Sequence, residues 1–522
     1  MITTVGRNFG HQAALIVLTV LGLAAPASAQ QPFLGDPNAP DLQVLARGPI
    51  HEAFVGPIIA NPTPGVVAPK PPPSTVIEEL PPAQKPQGND VEWIPGYWSW
   101  DDERNDYIWV SGIWRDVPPG RQWIPGYWSQ VETGSLWTSG FWAGSVANGQ
   151  FNYLPAPPQS LENGPNAPQP GPDFTWVPGS WVWVQDRYAW RPGYWIQANP
   201  DWIWNPGSYV PTPSGYLDND GYWDYNLPRR GLAFAPVAFG PSAFAQRSFA
   251  YTPASVLPVA GLLSSLFVRP NYGHYYFGDY YNAASAGPRG GYVPWFALQQ
   301  NRLGYDPIYG SMSALNARQP DWDRRVREDY RERSENRQAR PAPTFEGQRA
   351  LIDPRQGRGE DVRNLGLVQP LHQWAANPEA YHRFEPVAPE NRAELVRRQA
   401  QFQAVGQERA RMESQARIPA NLRPEEHRPQ RLELPRSPVG TVPNPRPPAF
   451  ATLPPHPQAH QSFQPTFERQ PALIRPDLSG PHPEPRPNPP RPEARPGGEP
   501  RPPHVEPKGN REPEHPRPGK PR

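Results

Sequence analysis

A six-residue step, Trp-x-x-Gly-x-Trp, recurs in the first half of the chain and constrains its fold more than any other feature. Six copies are complete, a seventh ends in Tyr209, and an eighth has Asp218 in place of its first tryptophan. Seventeen of the 20 tryptophans lie between Trp93 and Trp223, which indicates a repeat architecture rather than a chance enrichment. The steps begin at Trp93, Trp109, Trp123, Trp137, Trp176, Trp190, Trp204 and Asp218.

The residues in and around each step predict short strands joined by turns. Aromatic residues alternate with other residues in Trp181-x-Trp183 and Trp202-x-Trp204, a pattern typical of strands. Where proline precedes the glycine, the pair fits the centre of a type II turn, in which glycine supplies a positive φ. We therefore interpret seven glycines as turn residues: Gly96, Gly112, Gly126, Gly140, Gly179, Gly193 and Gly207.

Comparing the first two blocks of repeats locates the hairpin tips. The blocks from Trp93 to Trp114 and from Trp123 to Trp142 share one frame, and their difference in length falls in a polar loop. Because exposed tips tolerate length changes, these loops are the predicted tips and the steps are the predicted bends between hairpins. Trp195 is then expected to face Trp202 or Trp204 across a ladder. The predicted tips lie at 101–106, 131–135, 185–187 and 199–201.

Composition limits how much of the 522-residue chain can form a compact core. The 80 prolines and 44 glycines follow no collagen-like period and indicate long low-complexity segments. The predicted fold class is mainly β: a Trp-rich antiparallel β-hairpin meander with an irregular aromatic cap, exposed helices and a long disordered Pro-rich tail. The predicted segments are a signal peptide at 1–29, a Pro-rich linker at 30–90, the repeats at 91–225 with an insert at 143–175, the cap at 226–312, charged helical segments at 313–417 and the tail at 418–522.

The charged segments and the tail differ in how much apolar surface they can bury. Residues 390–417 lack proline and predict a helix with a weak apolar stripe at Leu395, Phe402 and Val405. From residue 418 onward the chain is rich in proline and has few large apolar residues. We therefore expect the tail to be disordered.

The N-terminus predicts export. Arg7 precedes an apolar run at 13–25, and Ala27-Ser28-Ala29 forms a small-residue cleavage site, so cleavage is predicted after Ala29. The apolar run is shorter than the roughly 20 residues that a membrane-spanning helix needs. We expect the mature protein in the periplasm or on the extracellular side of the cell envelope, without a transmembrane segment. The chain has no cysteine, which excludes disulfides and thiolate metal sites.

Few residues offer active-site chemistry, and none forms a recognisable catalytic motif. His274 and Asp279 can act as an acid–base pair, but the tyrosines around them favour packing. Residues 101–106 and 218–221 offer oxygen ligands, whereas a calcium loop needs a longer ligand set and hairpin tips favour the same residue types. The near-zero net charge gives no argument for nucleic-acid binding. We predict no enzymatic activity, no catalytic or metal-binding residues and no cofactor.

The repeat aromatics have two possible roles, which the sequence leaves open. A meander without cysteine has little else to bury, so tryptophans are expected to supply the core. Exposed rows of Trp and Tyr can instead stack against sugar rings or quaternary ammonium groups. The candidate partners are a cell-wall polymer or another envelope protein. The candidate stacking residues are Trp98, Trp114, Trp128, Trp142, Trp181, Trp195 and Tyr209.

The hexamers WIPGYW at 93–98 and WVSGIW at 109–114 resemble the YXWGXW, or WXXGXW, repeat family of exported bacterial envelope proteins. The insert sequence PPQSLENGP and the segment from Ser265 to Tyr281 resemble long planctomycete-type members. The resemblance covers about residues 45 to 310 and implies no catalytic residues. The expected function is that of a non-enzymatic structural or interaction protein of the envelope. The alternative is a module that binds glycans or wall polymers through exposed Trp and Tyr faces.

Overall fold

The computed structural model describes most of the chain between residues 41 and 439. The predicted signal peptide and its cleavage site lie outside the described residues, as does most of the predicted tail. The described ranges are 41–144, 149–245, 247–282, 291–319, 321–352, 366–378, 380–418 and 428–439.

Among the described residues 41–90, six short strands precede the repeats, in the segment that the sequence predicts to be a linker. They are β1 (Leu42–Val44), β2 (Gly48–Pro49), β3 (Ile58–Ile59), β4 (Val67–Ala68), β5 (Val76–Glu79) and β6 (Gln84–Pro86). Strands interrupted by proline stay short because proline has no N–H to donate. They nevertheless pair with distant residues: β4 with Ser135–Leu136 and β5, in parallel, with Ser248–Tyr251. The segment therefore packs into the fold and does not act as a spacer.

The eight repeats form four long hairpins, each bent in the middle. In every hairpin two outer strands pair with each other, two inner strands pair with each other, and two steps face each other at the bend. Hairpin 1 contains β7 (Val91–Ile94), β8 (Tyr97–Asp101), β9 (Asp106–Val110) and β10 (Ile113–Asp116); hairpin 2 contains β11 (Arg121–Ile124), β12 (Tyr127–Val131), β13 (Gly134–Thr138) and β14 (Phe141–Gly144). After β15 (Gln150–Leu154), hairpin 3 contains β16 (Phe174–Val177), β17 (Ser180–Val184), β18 (Arg187–Arg191) and β19 (Tyr194–Gln197); hairpin 4 contains β20 (Trp202–Asn205), β21 (Ser208–Thr212), β22 (Gly215–Asn219) and β23 (Tyr222–Tyr225).

The predicted tips are confirmed for the first three hairpins, where polar loops join β8 to β9, β12 to β13 and β17 to β18. The fourth predicted tip is wrong, because residues 199–201 connect hairpin 3 to hairpin 4. Trp195 accordingly faces Trp176, and neither Trp202 nor Trp204. The steps are also not bends between hairpins. The repeating unit is two steps long, so each bend lies inside a hairpin opposite a second bend.

The residues after the repeats form short elements that pair with hairpin 1 and with the N-terminal strands. Val237 pairs with Trp109, and residues 231–232 pair with 114–115. A buried aromatic cluster, including Tyr275, Phe277 and Trp295, fills this cap. The elements are β24 (Gly231–Leu232), β25 (Val237–Phe239), α1 (Pro241–Phe244), β26 (Ser248–Tyr251), β27 (Ser255–Val256), α2 (Val259–Leu263), β28 (Leu266–Arg269), β29 (His274–Phe277), β30 (Val293–Pro294), β31 (Gly304–Tyr305) and α3 (Pro307–Leu315). Short 3-10 helices lie at Leu227–Arg230, Pro270–Tyr272, Trp295–Ala297 and Arg337–Ala339.

The C-terminal part of the described chain is helical, with three further short strands. The elements are α4 (Asp321–Glu335), α5 (Phe345–Ile352), β32 (Gln369–Pro370), α6 (Leu371–Ala376), β33 (Phe384–Pro386), α7 (Pro389–Gln415) and β34 (Gln430–Glu433). Helix α7 packs on hairpin 2: Phe402 and Val405 of the predicted stripe are buried, and so is Arg409, which donates hydrogen bonds to two carbonyls of hairpin 2. β34 pairs with β15, so residues 430–433 depart from the predicted disorder because a partner strand satisfies their backbone.

The predicted fold class is confirmed. The fold is mainly antiparallel β and is built from short hairpins with aromatic clusters. Within the described ranges, the helices include none that is long and apolar enough to cross a lipid bilayer.

Candidate functional site

Tryptophans pair across each hairpin. The first tryptophan of one step faces the last tryptophan of the opposite step, as Trp93 faces Trp114 and Trp98 faces Trp109. Their ring centroids lie 5.1 Å and 5.2 Å apart, with interplanar angles of 66° and 82°. Edge-to-face pairs of this kind stabilise a fold by roughly 0.5–1.5 kcal/mol beyond the area that they bury. Pairing therefore explains why a step needs a tryptophan at both ends.

The glycine of the step is required for space and not for a positive φ. The seven predicted turn glycines all lie outside the positive-φ region, so the type II turn prediction is wrong. A Cβ atom on Gly112 would lie 2.5 Å from Cζ2 of Trp93, and one on Gly126 would lie 2.5 Å from Cζ2 of Trp137. The indole ring that starts one step thus covers the glycine of the step that faces it. At Gly207 the nearest atom is 3.3 Å away, because Asp218 replaces that indole.

A glutamate carboxylate binds at the bend of hairpin 1. Oε1 of Glu79 accepts hydrogen bonds from the Gly112 amide at 2.8 Å and from Nε1 of Trp109 at 3.1 Å. Oε2 accepts a bond from the Gly96 amide at 2.6 Å. Burial raises the pKa of Glu79 to about 7, although the three donors oppose that shift. The indole N–H and the amide three residues later converge on one carboxylate. We call this pair of donors the W-x-x-G clamp.

A second clamp holds Glu52 at hairpin 2. The Gly140 amide donates to Oε2 of Glu52 at 2.8 Å, and Nε1 of Trp137 donates to Oε1 at 2.8 Å. His274 also contacts Oε1 through its Nε2. Burial alone raises the pKa of a carboxyl group, yet His274 and the two N–H donors hold the pKa of Glu52 below its usual value. This clamp fixes the N-terminal segment to hairpin 2.

A third clamp holds Glu162 at hairpin 3. The Gly179 amide donates to Oε2 at 2.5 Å and Nε1 of Trp176 donates to Oε1 at 3.1 Å. Glu162 belongs to the Pro-rich part of the insert, residues 155–170, which we call the strap. Three aromatic side chains of hairpin 3 donate hydrogen bonds to main-chain carbonyls of the strap: Trp181 to Gln159 at 2.9 Å, Trp195 to Ala167 at 2.9 Å and Tyr188 to Pro155 at 2.7 Å.

The strap lies on the surface of the molecule. All of its residues are half-buried or exposed. A cleft of about 470 Å³ lies beside Glu162, and its walls include Trp176, Trp195, Gln299 and Arg302. Glu79, by contrast, is completely buried. The same clamp thus occurs in a closed form at hairpin 1 and in an accessible form at hairpin 3.

The candidate stacking residues fall into two groups. Trp98, Trp114 and Trp142 are buried, so they are core residues and offer no face to a ligand. The other four are half-buried, and each donates a hydrogen bond to a main-chain carbonyl of this chain. These four are Trp128, Trp181, Trp195 and Tyr209.

The predicted acid–base pair is not assembled. His274 contacts Glu52, whereas Asp279 lies 3.7 Å from Arg340. In the loop at 101–106, Asp102 accepts a bond from Nε1 of Trp100 and pairs with an arginine, and Asp106 lies 2.7 Å from Nζ of Lys70. Across the described ranges, His, Asp and Glu side chains form no group that could hold a metal ion.

A smaller cleft of about 150 Å³ lies between hairpins 2 and 4. Its walls combine aromatic rings with amide side chains, including Trp123, Asn205, Tyr209, Asn219 and Tyr222. Rings and amides are the groups that contact the apolar faces and hydroxyls of a sugar. The cleft is therefore the second candidate binding site.

The comparisons with known proteins identify the repeat. The family model described as the WXXGXW repeat, in two copies, matches residues 93–115, 123–143 and 171–195. Each matched span contains the two facing steps of one hairpin. These three spans are WXXGXW repeats. No curated protein and no solved structure matches it. The likeness to long planctomycete-type members stays a prediction, because the match is confined to the WXXGXW spans.

The sequence predictions missed the three clamp glutamates. Two of them could have been identified in the sequence, because each is the one charged residue in a Pro-rich stretch. Glu162 is the single charged residue between positions 143 and 172, and Glu52 is the single Asp, Glu, Lys or Arg between Arg47 and Lys70. A lone carboxylate in such a segment needs a donor, and the WXXGXW step provides two.

Proposed function

We propose that this protein is an exported structural or interaction protein of the cell envelope, without enzymatic activity, and that its WXXGXW hairpins bind extended Pro-rich chain. One observation carries the proposal. Aromatic N–H and O–H groups of the hairpins donate to main-chain carbonyls of Pro-rich segments outside the hairpins. Hairpin 3 binds the strap in this way through Trp181, Tyr188 and Trp195.

Hairpin 1 binds the N-terminal segment in the same way, since the Tyr107 hydroxyl donates to the Lys70 carbonyl, between two prolines, at 2.8 Å. In hairpin 2, Nε1 of Trp142 donates to the Ala53 carbonyl at 3.1 Å, but Ala53 lies in a turn. Pro-rich chain favours extended conformations without internal hydrogen bonds, so its carbonyls are free to accept. Aromatic-lined surfaces with such donors are a recurring way to recognise it.

Two further observations support a role without catalysis and outside the cytoplasm. Ser139 Oγ lies 3.5 Å from Nε2 of His274, and the same nitrogen contacts Glu52. In a catalytic triad the serine and the carboxylate bind different ring nitrogens of the histidine, so these three residues do not form a triad. The sequence Ala27-Ser28-Ala29 after an apolar run favours export.

Fractionation of cells that express the full chain, or a chain without residues 1–29, tests the predicted location in the envelope. We expect only the full chain in the envelope fraction, and equal distribution of the two would contradict export.

The second candidate function is glycan binding, favoured by the cleft between hairpins 2 and 4. It predicts that soluble peptidoglycan fragments bind the full chain and that Asn219→Ala and Tyr222→Ala weaken that binding. If the fragments bind and Pro-rich peptide does not, glycan binding replaces the proposed function.

The test of Pro-rich binding uses the full chain with Glu162→Ala, which loosens the strap. A synthetic peptide with the sequence of residues 155–170 is titrated while tryptophan fluorescence is recorded. We expect saturable binding of this peptide and none of a peptide in which serine replaces every proline. Failure of the Pro-rich peptide to bind would refute the proposed function.

A further inference from the structure

We propose that the W-x-x-G clamp is a binding site for a glutamate carboxylate, and that the clamp of hairpin 3 recognises a glutamate within a Pro-rich segment of a partner protein. This inference rests on the proposed function, since it identifies the side chain that hairpin 3 recognises within the extended chain that this hairpin binds. The three occupied clamps, the chemistry of the donors and the exposure of hairpin 3 each contribute to it.

The three clamps bind glutamates from unrelated surroundings. Glu52 follows a histidine after β2, Glu79 ends β5, and Glu162 lies in the strap. In all three, the indole N–H bonds one carboxylate oxygen, and the amide three residues later bonds the same oxygen or the other. Because the flanking sequences differ and the carboxylate is constant, the clamp selects the carboxylate.

The donors explain this selection. An ionised carboxylate has two oxygens that only accept, so both can face N–H groups. A glutamine has an NH₂ group in place of one carboxylate oxygen. This group is itself a donor, so it cannot accept the hydrogen bond of the clamp N–H that it faces. Hydrogen bonds to a charged group are also about twice as strong as neutral ones. A clamp of two N–H groups therefore discriminates glutamate from its closest isostere.

The clamp of hairpin 3 is the one that another chain can reach. Glu162 is half-buried, and a cleft of about 470 Å³ lies beside it. The strap is held on hairpin 3 by hydrogen bonds to its main chain and by this carboxylate, and two further strap side chains, Asn163 and Gln169, bond to Arg302 and to the Phe174 carbonyl. A partner segment with proline and one glutamate can make the same bonds in its place. The occupant is thus defined by the strap itself: an extended, Pro-rich peptide with a single glutamate.

The experiment compares two peptides on the full chain with Glu162→Ala. One has the sequence of residues 155–170, and the other differs only by glutamine in place of the glutamate. We expect the glutamine peptide to bind about tenfold more weakly at neutral pH. Equal affinities would overturn the inference and leave the proposed function intact. If neither peptide binds, the proposed function fails instead.

Two tryptophan variants in the same background separate the clamp from the rest of the surface. Trp176→Phe keeps a ring but loses one of the two clamp N–H groups, so we expect the preference for the glutamate peptide to become smaller, with the remainder supplied by the Gly179 amide. Trp181→Phe loses a bond to a main-chain carbonyl and should weaken both peptides by the same factor. Loss of the preference in Trp181→Phe, or an undiminished preference in Trp176→Phe, would contradict the assignment.

The clamp can also be tested without any peptide, by a measurement on the chain with its own strap in place. An amide proton that bonds to a carboxylate resonates downfield in an NMR spectrum. We expect the Gly179 amide to be shifted downfield in the wild-type chain and to move upfield in Glu162→Gln. An unchanged Gly179 resonance would show that Glu162 does not bind the clamp in solution.

Discussion

Hairpins 1 and 3 are built from the same two facing steps, yet their tryptophans lie in different surroundings. Trp93, Trp98, Trp109 and Trp114 of hairpin 1 are all buried. In hairpin 3 only Trp176 is buried among the corresponding residues, and its partners Trp181, Trp190 and Trp195 are half-buried. The cross-strand pairs are nevertheless alike, with centroids 5.1–5.4 Å apart in both hairpins. The step therefore builds the hairpin but does not determine how deeply the hairpin is buried.

The difference comes from the segments that cover each hairpin. Strands from the cap pair with β9 and β10 of hairpin 1, and Glu79 closes its bend from the N-terminal side. Hairpin 3 is covered by the strap, whose residues stay accessible. Exposed covering segments are the parts of a fold that open most easily. We infer that hairpin 1 serves stability and that hairpin 3 is available for interaction.

The largest expected difference between the two hairpins follows from removing an equivalent tryptophan. Trp114→Ala leaves a cavity in a buried cluster and is expected to lower the free energy of unfolding by about 4 kcal/mol. Trp195 occupies the same position in hairpin 3 and is half-buried, so Trp195→Ala is expected to cost roughly half as much. Chemical denaturation of both variants measures this. Equal losses would mean that pairing, and not burial, dominates.

A pH dependence distinguishes the closed clamp of hairpin 1. Burial raises the pKa of Glu79 from an ordinary 4.5 to about 7, so between these values the folded chain holds a proton that the unfolded chain has lost. This group therefore makes the protein more stable at pH 5 than at pH 7.5, by on the order of 3 kcal/mol. Asp306, whose pKa is also raised to about 7 by burial, acts in the same direction.

The variant Glu79→Gln isolates the share of this one group. It cannot titrate, so its unfolding free energy at pH 7.5, relative to that at pH 5, should be higher than in the wild type, whatever opposite contribution the lowered pKa of His51 makes in both chains. Thermal melting at a series of pH values measures the slope. Identical slopes in the wild type and Glu79→Gln would contradict the shifted pKa.

Local patterns in the sequence predicted local structure but not the contacts between distant residues. Alternating aromatics gave the strands, and the polar pair Gln185–Asp186 marked a true tip because its backbone takes positive φ values. The partner of Trp195 could not be read from the chain, since the one-step spacing conceals a unit of two steps. The glycines were correctly placed at bends, but the requirement for them comes from an indole ring and a backbone carbonyl on the opposite strand.

The candidate site was less predictable than the fold. The clamp needs a tryptophan and a glycine from a repeat together with a glutamate 14 to 88 residues away. Hydrophobic periodicity carries no signal for such a contact, because it consists of two or three hydrogen bonds to a single carboxylate. Exposure was equally hidden: Trp114 and Trp195 have the same place in the step, and only the covering segments distinguish them.

The smallest effect tests whether the facing indole is the reason for glycine. Gly112→Ala forces a Cβ against Trp93 and is expected to lower the free energy of unfolding by about 2 kcal/mol. Gly207→Ala is the matched control, since it has the same place in the step but no facing indole and an ordinary φ. It should change stability by less than about 0.5 kcal/mol, because reduced freedom of the unfolded chain offsets mild crowding. If the two variants were equally unstable, glycine would be needed for the backbone of the bend and the indole contact would be incidental. In that case Asp218→Trp, which restores the missing ring opposite Gly207, would not make Gly207→Ala more harmful, whereas the packing explanation requires that it does.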